Sequence, residues 1–243
     1  RVWDGGETNI LLKQDYSLED DLQHIKVLID YFKDERYIKV NGIPMFMVYR
    51  PKLFPDIKKT IALWREEVKK AGFPDLYIGF AKNSEYKDDF KNVGFDFAFE
   101  FQPNFSLRPK ALSAGVIIKK LKNLARKFGL RSSNNLEAVY DYEAYAKLQI
   151  DNGFVKDCYP TITPMWDNSS RRKVNYFILH DSSPDKYKLW LTHIKDNYPW
   201  RDMPESFLFI NAWNEWAEGN HLEPCQKWGT AYLDATKEVL GSD

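Results

Sequence analysis

Residues 37–49 have the sequence YIKVNGIPMFMVY. Asn41-Gly42 separates two runs of strand-forming residues, a pattern that predicts a tight hairpin. The second run, 43–49, is apolar on both faces, which is typical of a strand covered by other elements on both sides. The stretch therefore predicts a buried strand in a largely parallel α/β sheet.

Further elements alternate along the chain on both sides of this stretch. Ser17 is a candidate N-cap for a helix over 18–32, and a helix from Ile57 to Val68 is closed by Gly72. Further strands are predicted at 76–80, 95–100, 158–162 and 207–211, and further helices at 84–92, 142–149, from Pro184 onward and at 228–240. Strands that alternate with helices indicate parallel βα units.

The fold class that fits this alternation is an α/β, (β/α)8 TIM barrel. Five major strands are predicted, whereas a complete barrel needs eight. The chain opens on Arg1 rather than Met, so we expect the first strands upstream and interpret residues 1–243 as a single, N-terminally incomplete barrel domain. Alone, they would form an open barrel with an exposed strand edge. An open doubly wound sheet is the alternative, although no G-x-G-x-x-G loop supports its dinucleotide-binding version.

Composition excludes several classes of function. The 35 basic and 35 acidic residues balance, so nothing indicates a nucleic-acid partner, and no apolar run is long enough for a membrane span.

The two cysteines, Cys158 and Cys225, are expected to be free thiols in a reducing cytosol, which favours a cytoplasmic protein; one disulfide is the alternative. We predict no cofactor, and the oligomeric state is not indicated.

Residues 107–131 contain eight Lys or Arg and no acidic residue. Apolar residues interleave with the basic ones, a pattern that predicts a basic amphipathic helix. A helix docked on the core with a solvated basic face is the favoured interpretation. Peripheral contact with an anionic membrane surface or glycan lipid is the alternative.

The candidate catalytic residues are concentrated after the apolar run 207–210. Residues 211–224 have the sequence NAWNEWAEGNHLEP, with carboxylates at Glu215, Glu218 and Glu223 and indoles at Trp213 and Trp216. Acids beside flat rings suit a carbohydrate site, because glycoside cleavage generally needs two carboxyl groups and indoles stack on sugar faces. On a helical turn, residues 215 and 218 would share a face, so that one acid stays protonated and the other ionised. A solvated loop or a helix-capping carboxylate is the alternative.

Other candidate residues follow from the rule that active sites gather at the C-terminal ends of parallel strands. The predicted substrate-binding residues are Trp3, Asp4, Tyr16, Tyr49, Arg50, Glu100, Trp166, Asp167, Asn168, Trp213, Asn214, Trp216, His221 and Glu223. Asp4 and Tyr16 are alternatively turn residues, and Glu100 the partner of a buried arginine. Residues 166–168, with Arg171-Arg172 close behind, bind a saccharide or a phosphate or form a plain surface loop. His180 has no catalytic partner pattern, and no metal-ligand spacing occurs, so we predict no metal.

Several of these motifs together resemble a known family. Asn214-Glu-Trp-Ala-Glu-Gly219 with Leu222-Glu-Pro224 resembles the catalytic loop of glycoside hydrolase family 99. Nearly the whole chain is similar to the WbsX-like proteins, often labelled lipopolysaccharide-biosynthesis glycosyltransferases. The segments that carry this similarity are Trp3-Asp-Gly5, Gln14-Asp-Tyr16, Arg36–Val40, Pro44–Pro51 and Trp166-Asp-Asn168. The resemblance implies a (β/α)8 barrel that acts on an oligosaccharide or polysaccharide.

The resemblance also implies residue roles. Glu215 would be the base that takes a proton from the substrate's own 2-hydroxyl, and Glu218 the acid that protonates the leaving oxygen; Glu100 would contact substrate. The implied function is a retaining endo-glycosidase acting on α-mannoside-like linkages. Ala217 replaces a residue that is often larger in endo-mannosidases, so the substrate itself does not carry over.

Two other functions stay open. The first is a glycosyltransferase of lipopolysaccharide or surface-polysaccharide biosynthesis, although the chain has no obvious Asp-x-Asp metal-nucleotide site. The second is a non-catalytic glycan-binding barrel, which would keep the tryptophans without needing both glutamates.

Overall fold

The computed structural model describes residues 16–83, 86, 89–112, 138–172 and 176–241. Its helices are α1 (Leu18–Phe32), α2 (Ile57–Lys70), α3 (Phe90–Val93), α4 (Tyr142–Asn152), α5 (Pro184–Asn197) and α6 (Ala231–Leu240). Its strands are β1 (Lys39–Val40), β2 (Ile43–Val48), β3 (Tyr77–Lys82), β4 (Phe97–Glu100), β5 (Ala138–Asp141), β6 (Cys158–Tyr159), β7 (Thr161–Ile162), β8 (Trp166–Asp167), β9 (Phe177–His180), β10 (Phe209–Ile210), β11 (Asn214–Glu215) and β12 (Asn220–His221). The predicted site residues Trp3 and Asp4 lie outside the described residues, as does most of the basic segment 107–131. Its described part, 107–112, is irregular rather than helical.

The main sheet is built from β1 and four of the five major strands that the sequence predicts, and the fifth, β10, pairs with β7 in a separate two-stranded sheet. Strands β2, β3, β4 and β6 are parallel neighbours in chain order, and β1 pairs antiparallel with β2 across the predicted hairpin. Asn41 and Gly42 both have positive φ, at 51° and 79°, as a tight hairpin turn of this kind requires. Pro160 divides the fourth predicted strand: β6 pairs with β4, and β7 pairs with β10.

These strands form a curled half-barrel within a mixed α/β fold. The strand order follows the chain without the reversal that defines a doubly wound sheet. The prediction of parallel βα units is therefore confirmed. A complete eight-stranded barrel is not formed by the part of the chain that the structure describes.

The convex side of the half-barrel is covered by α1 and α2. Ser17 accepts a hydrogen bond from the backbone N–H of Asp20, which caps α1 as predicted. At the contact between the two helices, Thr60 donates to the buried carboxylate of Asp21 over 2.6 Å, and the indole N–H of Trp64 donates to the Asp21 carbonyl over 2.9 Å. Because burial without a partner is costly, this polar pair fixes how the helices dock.

The concave side is packed with aromatic rings. Met45, Phe97 and Tyr159 are buried there, and the Tyr159 hydroxyl lies 2.9 Å from that of Tyr77. A Cβ atom added at Gly79 would lie 2.2 Å from the Phe97 ring, so only glycine lets β3 approach β4 with this ring in place. The filled interior leaves the C-terminal ends of the strands as the surface on which a site can form.

A second region packs beside the half-barrel and was not predicted as a sheet. Strands β5, β9 and β8 form a three-stranded sheet in that order, and α4, α5 and α6 share its core, which includes the fully buried Tyr142, Tyr145, Tyr187 and Leu191. Trp166 and Asp167, for which a plain surface loop was one interpretation, form β8, and Trp166 is buried. These strands were missed because they are only two to four residues long and pair with distant segments.

Element boundaries also differ from the predictions. Of the helix predicted at 84–92, residues 84, 85, 87 and 88 lie outside the described residues, and the described part contains α3, which Asp89 caps and Gly94 ends with φ 113°. The last helix begins at Ala231, after Gly229 with φ 54°, rather than at Trp228.

Cys158 and Cys225 are free thiols, and burial raises the pKa of Cys158 to about 12.

Candidate active site

The segment after β10 folds back as a small hairpin. Strands β11 and β12 pair antiparallel, with Glu215 opposite Asn220, and residues Trp216–Glu218 form a single 3-10 turn between them. Gly219 ends this turn with φ 53°, and a Cβ atom there would lie 3.0 Å from the Asp167 carbonyl oxygen. Glycine at this position therefore lets the turn lie against β8 and fixes the direction from which the glutamates leave the backbone.

Buried hydrogen bonds hold the hairpin to the strand ends. Asn220 is fully buried; its amide donates to the Asn211 carbonyl over 2.8 Å and its oxygen accepts from the Thr163 hydroxyl over 3.1 Å. The Ser170 hydroxyl donates to the Ala217 carbonyl over 2.9 Å. The loop after β7 and β8 thus supports the hairpin, so that the two glutamates project from a braced turn.

A single guanidinium joins these two glutamates. Arg171 Nη1 lies 3.2 Å from Glu215 Oε1 and 3.2 Å from Glu218 Oε1. The Glu218 side chain is 16% exposed and that of Glu215 is 42% exposed. Both carboxylates therefore converge on one point, but they experience different degrees of burial.

Burial favours the protonated form of Glu218. Desolvation raises the pKa of Glu218, and the neighbouring charge of Glu215 raises it further. Arg171 and Arg172 act in the opposite direction, but the net direction is upward. A carboxyl group that retains its proton beside one that is more solvated is the arrangement that acid–base catalysis by two carboxyls requires.

Both glutamates line a cavity of about 780 Å³ above the ends of β2 and β10. Its apolar wall includes Leu53, Phe54, Trp64 and Phe101. The predicted site residues that this cavity brings together are Tyr16, Tyr49, Arg50, Asn214, Glu215 and Glu218. Apolar walls with a few convergent charged groups are typical of a small-molecule or glycan site.

Four predicted residues lie elsewhere on the hairpin. Trp216 stacks on His221 at 3.7 Å between ring centroids, and its indole N–H donates to Glu223 over 2.6 Å. Trp213 is 53% exposed, and its carbonyl accepts hydrogen bonds from the backbone of Leu222 and Glu223. None of these four side chains lines the cavity that holds Glu215 and Glu218. Trp216, His221 and Glu223 make contacts that brace the hairpin.

The other predicted residues that the structure describes are also outside that cavity. Asn168 accepts a hydrogen bond from the backbone of Phe177, and Asp167 accepts one from the backbone of Ser169. Trp166 packs edge-on against Phe105. Glu100 ends β4 and lies in a neighbouring, smaller cavity, where burial raises its pKa and Lys82 opposes that rise.

Sequence reasoning did not identify Arg171 as the residue that joins the two acids. It stood only as part of a basic pair after Trp166-Asp-Asn168, a candidate for saccharide or phosphate binding. Its pairing with residues 44 and 47 positions away depends on the hairpin fold. The available signal was the location of both segments at strand ends, which meet at one edge of a parallel sheet.

Among the described residues, His, Cys, Asp and Glu side chains form no group of three or more that could hold a metal ion. Within the described ranges, too, the helices lack the length and apolar character needed to cross a bilayer.

Comparison with known proteins places this geometry in a family. The sequence profile described as Glycosyltransferase WbsX matches residues 1–236. The chain belongs to this WbsX family. Two proteins described as uncharacterized protein WxcX, from Xanthomonas campestris pv. campestris strains B100 and ATCC 33913, are each 32% identical to it over 246 aligned residues. The alignments cover 99% of this WbsX-family chain and 33% of each relative, so the chain spans about a third of the length of these relatives.

A solved structure has a similar fold. A protein described as "Glycoside hydrolase-like protein" superposes on the whole chain with a TM-score of 0.58 and 13% sequence identity, and the match covers 66% of that protein. At this identity the likeness concerns the fold alone. The half-barrel of this WbsX-family chain therefore has a glycoside-hydrolase-like architecture, and the family description indicates carbohydrate-active chemistry.

Proposed function

We propose that this chain carries the active site of a retaining endo-glycosidase that acts on α-mannoside-like linkages. The observation that carries the proposal is the convergence of Glu215 and Glu218 on Arg171 at one cavity. Family membership supports a carbohydrate substrate. We also propose that the described elements belong to one barrel-type domain, because β2, β3, β4, β6 and β10 all contribute side chains to one cluster on the concave face.

The distance between the carboxylates supports retention. Two oxygens that each lie 3.2 Å from the same nitrogen can be no further apart than twice that distance. That upper bound reaches only the lower edge of the roughly 6.5–9.5 Å that leaves room for an attacking water in inverting enzymes, so the spacing favours retention. A mechanism in which the substrate supplies its own first nucleophile fits this close spacing.

In the first step, Glu215 accepts the proton of the sugar's 2-hydroxyl. The 2-oxygen forms a bond to the anomeric carbon, the glycosidic bond breaks, and Glu218 gives its proton to the leaving oxygen. The products are a 1,2-anhydrosugar and the released glycan. The half-exposed Glu215 suits the base, and the raised pKa of Glu218 suits the acid.

In the second step, water opens the anhydrosugar. Glu218, now ionised, accepts a proton from the attacking water, whose oxygen bonds to the anomeric carbon. The bond between the 2-oxygen and that carbon breaks, and Glu215 returns its proton to the 2-oxygen. Two displacements at the same carbon restore its configuration, and both glutamates regain their starting protonation states.

A glycosyltransferase is the second candidate, because the matching family is described as one. In that case the same cavity would hold a sugar donor and an acceptor hydroxyl, and Glu215 would be positioned to deprotonate the acceptor. The carboxylate chemistry is shared by both candidates, whereas the second substrate differs. A non-catalytic glycan-binding barrel is the third candidate.

The test is a product analysis of the purified protein with a panel of α-mannans, with and without sugar nucleotides. We expect shortened glycans without a nucleotide, and none from the Glu215→Gln/Glu218→Gln double variant. Glycans lengthened only when a sugar nucleotide is present would favour the transferase. Binding without any product from the parent protein would favour the non-catalytic barrel and overturn the proposal.

A further inference from the structure

Two smaller cavities extend the one that holds Glu215 and Glu218. A cavity of about 410 Å³ shares Tyr49, Arg50, Leu53 and Phe101 with it. A third, of about 330 Å³, shares Asn83, Phe101 and Phe105 with the second. Because neighbouring cavities share wall residues, the three lie side by side along the C-terminal ends of β2, β3 and β4, with Phe101 common to all three, and we call this row of adjoining cavities the groove.

The far end of this groove carries charged groups that have no hydrogen bond or ion pair in the part of the chain that the structure describes. Lys82 and Glu100 are register partners on β3 and β4, and both line the third cavity. Glu100 is partly buried, and that burial raises the pKa of its carboxyl group. A partly buried carboxylate that accepts no hydrogen bond is costly, so a ligand that donates hydrogen bonds there would lower the free energy of the complex.

The rest of the far cavity suits a sugar. The Asn104 side-chain oxygen accepts from the backbone of Ser106 and Leu107, and the amide group is held at the cavity wall. Phe105 is 41% exposed and Phe101 is partly exposed, so aromatic faces line the path between the two ends. Aromatic surface beside amide and charged groups matches a sugar, which has apolar faces and hydroxyl edges.

Other roles for Glu100 do not fit this arrangement. No arginine lines its cavity, so the alternative of a buried arginine partner is not realised among the described residues. Glu100 does not line the cavity of Glu215 and Glu218, so it is not placed to act on the same bond. Among the described residues it belongs to no group of acids, histidines and cysteines that could hold a metal.

We propose that Glu100, Lys82 and Asn104 form a distal sugar subsite, and that the substrate is an oligosaccharide or polysaccharide long enough to span the groove from this subsite to Glu215 and Glu218. This inference rests on the proposed function and specifies its substrate class. The distal subsite binds sugar hydroxyls through the carboxyl, ammonium and amide groups. It contributes binding free energy to long glycans that short ones cannot obtain.

The experiment compares α-linked oligosaccharides of increasing length, with affinity measured by calorimetry and kcat/KM by product formation. We expect both to rise with length, by about tenfold once the distal subsite is filled, because one hydrogen bond to a charged group is worth roughly that factor. In Glu100→Gln and Lys82→Met, the ratio between long and short glycans should fall toward one. Glu66→Gln, an exposed carboxylate-to-amide change on α2, is the matched control and should keep the parent ratio.

The outcomes separate the two proposals. Turnover and affinity that do not depend on length would overturn the distal subsite and leave the proposed function standing. A length dependence that both substitutions leave intact would overturn its assignment to Glu100 and Lys82. Length-dependent binding without turnover would support the subsite and count against the glycosidase. No binding of any series would overturn both. Melting temperatures verify that each variant is folded.

Discussion

The two ends of the groove place carboxyl groups in opposite situations. Glu215 and Glu218 share the guanidinium of Arg171. Glu100 lies beside Lys82 and has no hydrogen bond or ion pair within the described residues. Arg171 therefore fixes the positions of Glu215 and Glu218 relative to each other, as a catalytic pair requires. Glu100 and Lys82, at the distal end of the groove, can still form hydrogen bonds with a ligand. This difference is why we assign reaction to one end and binding to the other.

Glu218→Gln should produce the largest effect, because it removes a transferable proton at the reacting end. We expect kcat to fall about 10²–10⁴-fold, the usual contribution of a general acid or base. The measurement is the rate of reducing-end formation, with Glu66→Gln as the control. A loss in Glu218→Gln no greater than that in Glu100→Gln would remove the distinction between the two ends.

Arg171→Gln should alter the pH dependence of the reaction. Arg171 lowers the pKa of Glu218, so its removal should raise that pKa further and keep the acid protonated to higher pH. We expect the alkaline limb of the kcat/KM profile to move to higher pH. Arg171→Lys retains the positive charge and should shift the alkaline limb less than Arg171→Gln does. A shift toward lower pH in Arg171→Gln would contradict the assignment of Glu218 as the acid.

Glu100→Gln should change how stability depends on pH. Burial raises the pKa of Glu100 in the folded protein, so the folded state loses stability as pH rises from the unfolded pKa through the folded one. The neutral amide removes this cost. We expect the variant to melt about 1–3 °C above the parent at pH 8, with the difference vanishing near pH 4. A variant that is less stable than the parent at pH 8 would indicate that the Glu100 carboxylate has a stabilising partner.

Trp216→Phe should have the smallest effect. It removes the indole hydrogen bond to Glu223 and keeps an aromatic ring on His221. Because Trp216 is about half exposed, we expect a loss of at most about 1 kcal/mol in the free energy of unfolding. Chemical denaturation measures this loss, with Trp213→Phe as the exposed control. A large change in KM would mean that Trp216 contacts substrate as well.

The half-barrel was predictable because its signals are local. The Asn41-Gly42 turn, the Ser17 cap and the strand within 43–49 each depend on neighbouring residues, and each appears in the structure. The expected cover on both faces of that strand is incomplete, because Met47 is 42% exposed. The alternation of strands and helices along the chain then predicted that the strands of the sheet are parallel, as they are in β2, β3, β4 and β6. The division at Pro160 was not predicted, since it depends on which strand lies on each side of β6 and β7.

The second sheet and the grouping of the site depend on distant contacts. Strand β9 pairs with β5, some forty positions earlier, through strands too short to give a periodic signal. The strand-end rule brought Tyr49, Arg50, Glu215 and Glu218 to one cavity. It did not separate Glu100 from them, because the separation depends on Phe101 and the shape of the groove. The substrate roles of all these residues stay predictions.

The central claim, that Glu215 is the base and Glu218 the acid at one end of the groove, is tested most directly with α-glycosides that carry an activated leaving group. Such a leaving group departs without a proton. We predict that Glu218→Gln recovers most of the parent rate on these substrates, whereas Glu215→Gln stays inactive. Equal inactivity of both variants, or recovery of Glu215→Gln alone, would contradict the assignment.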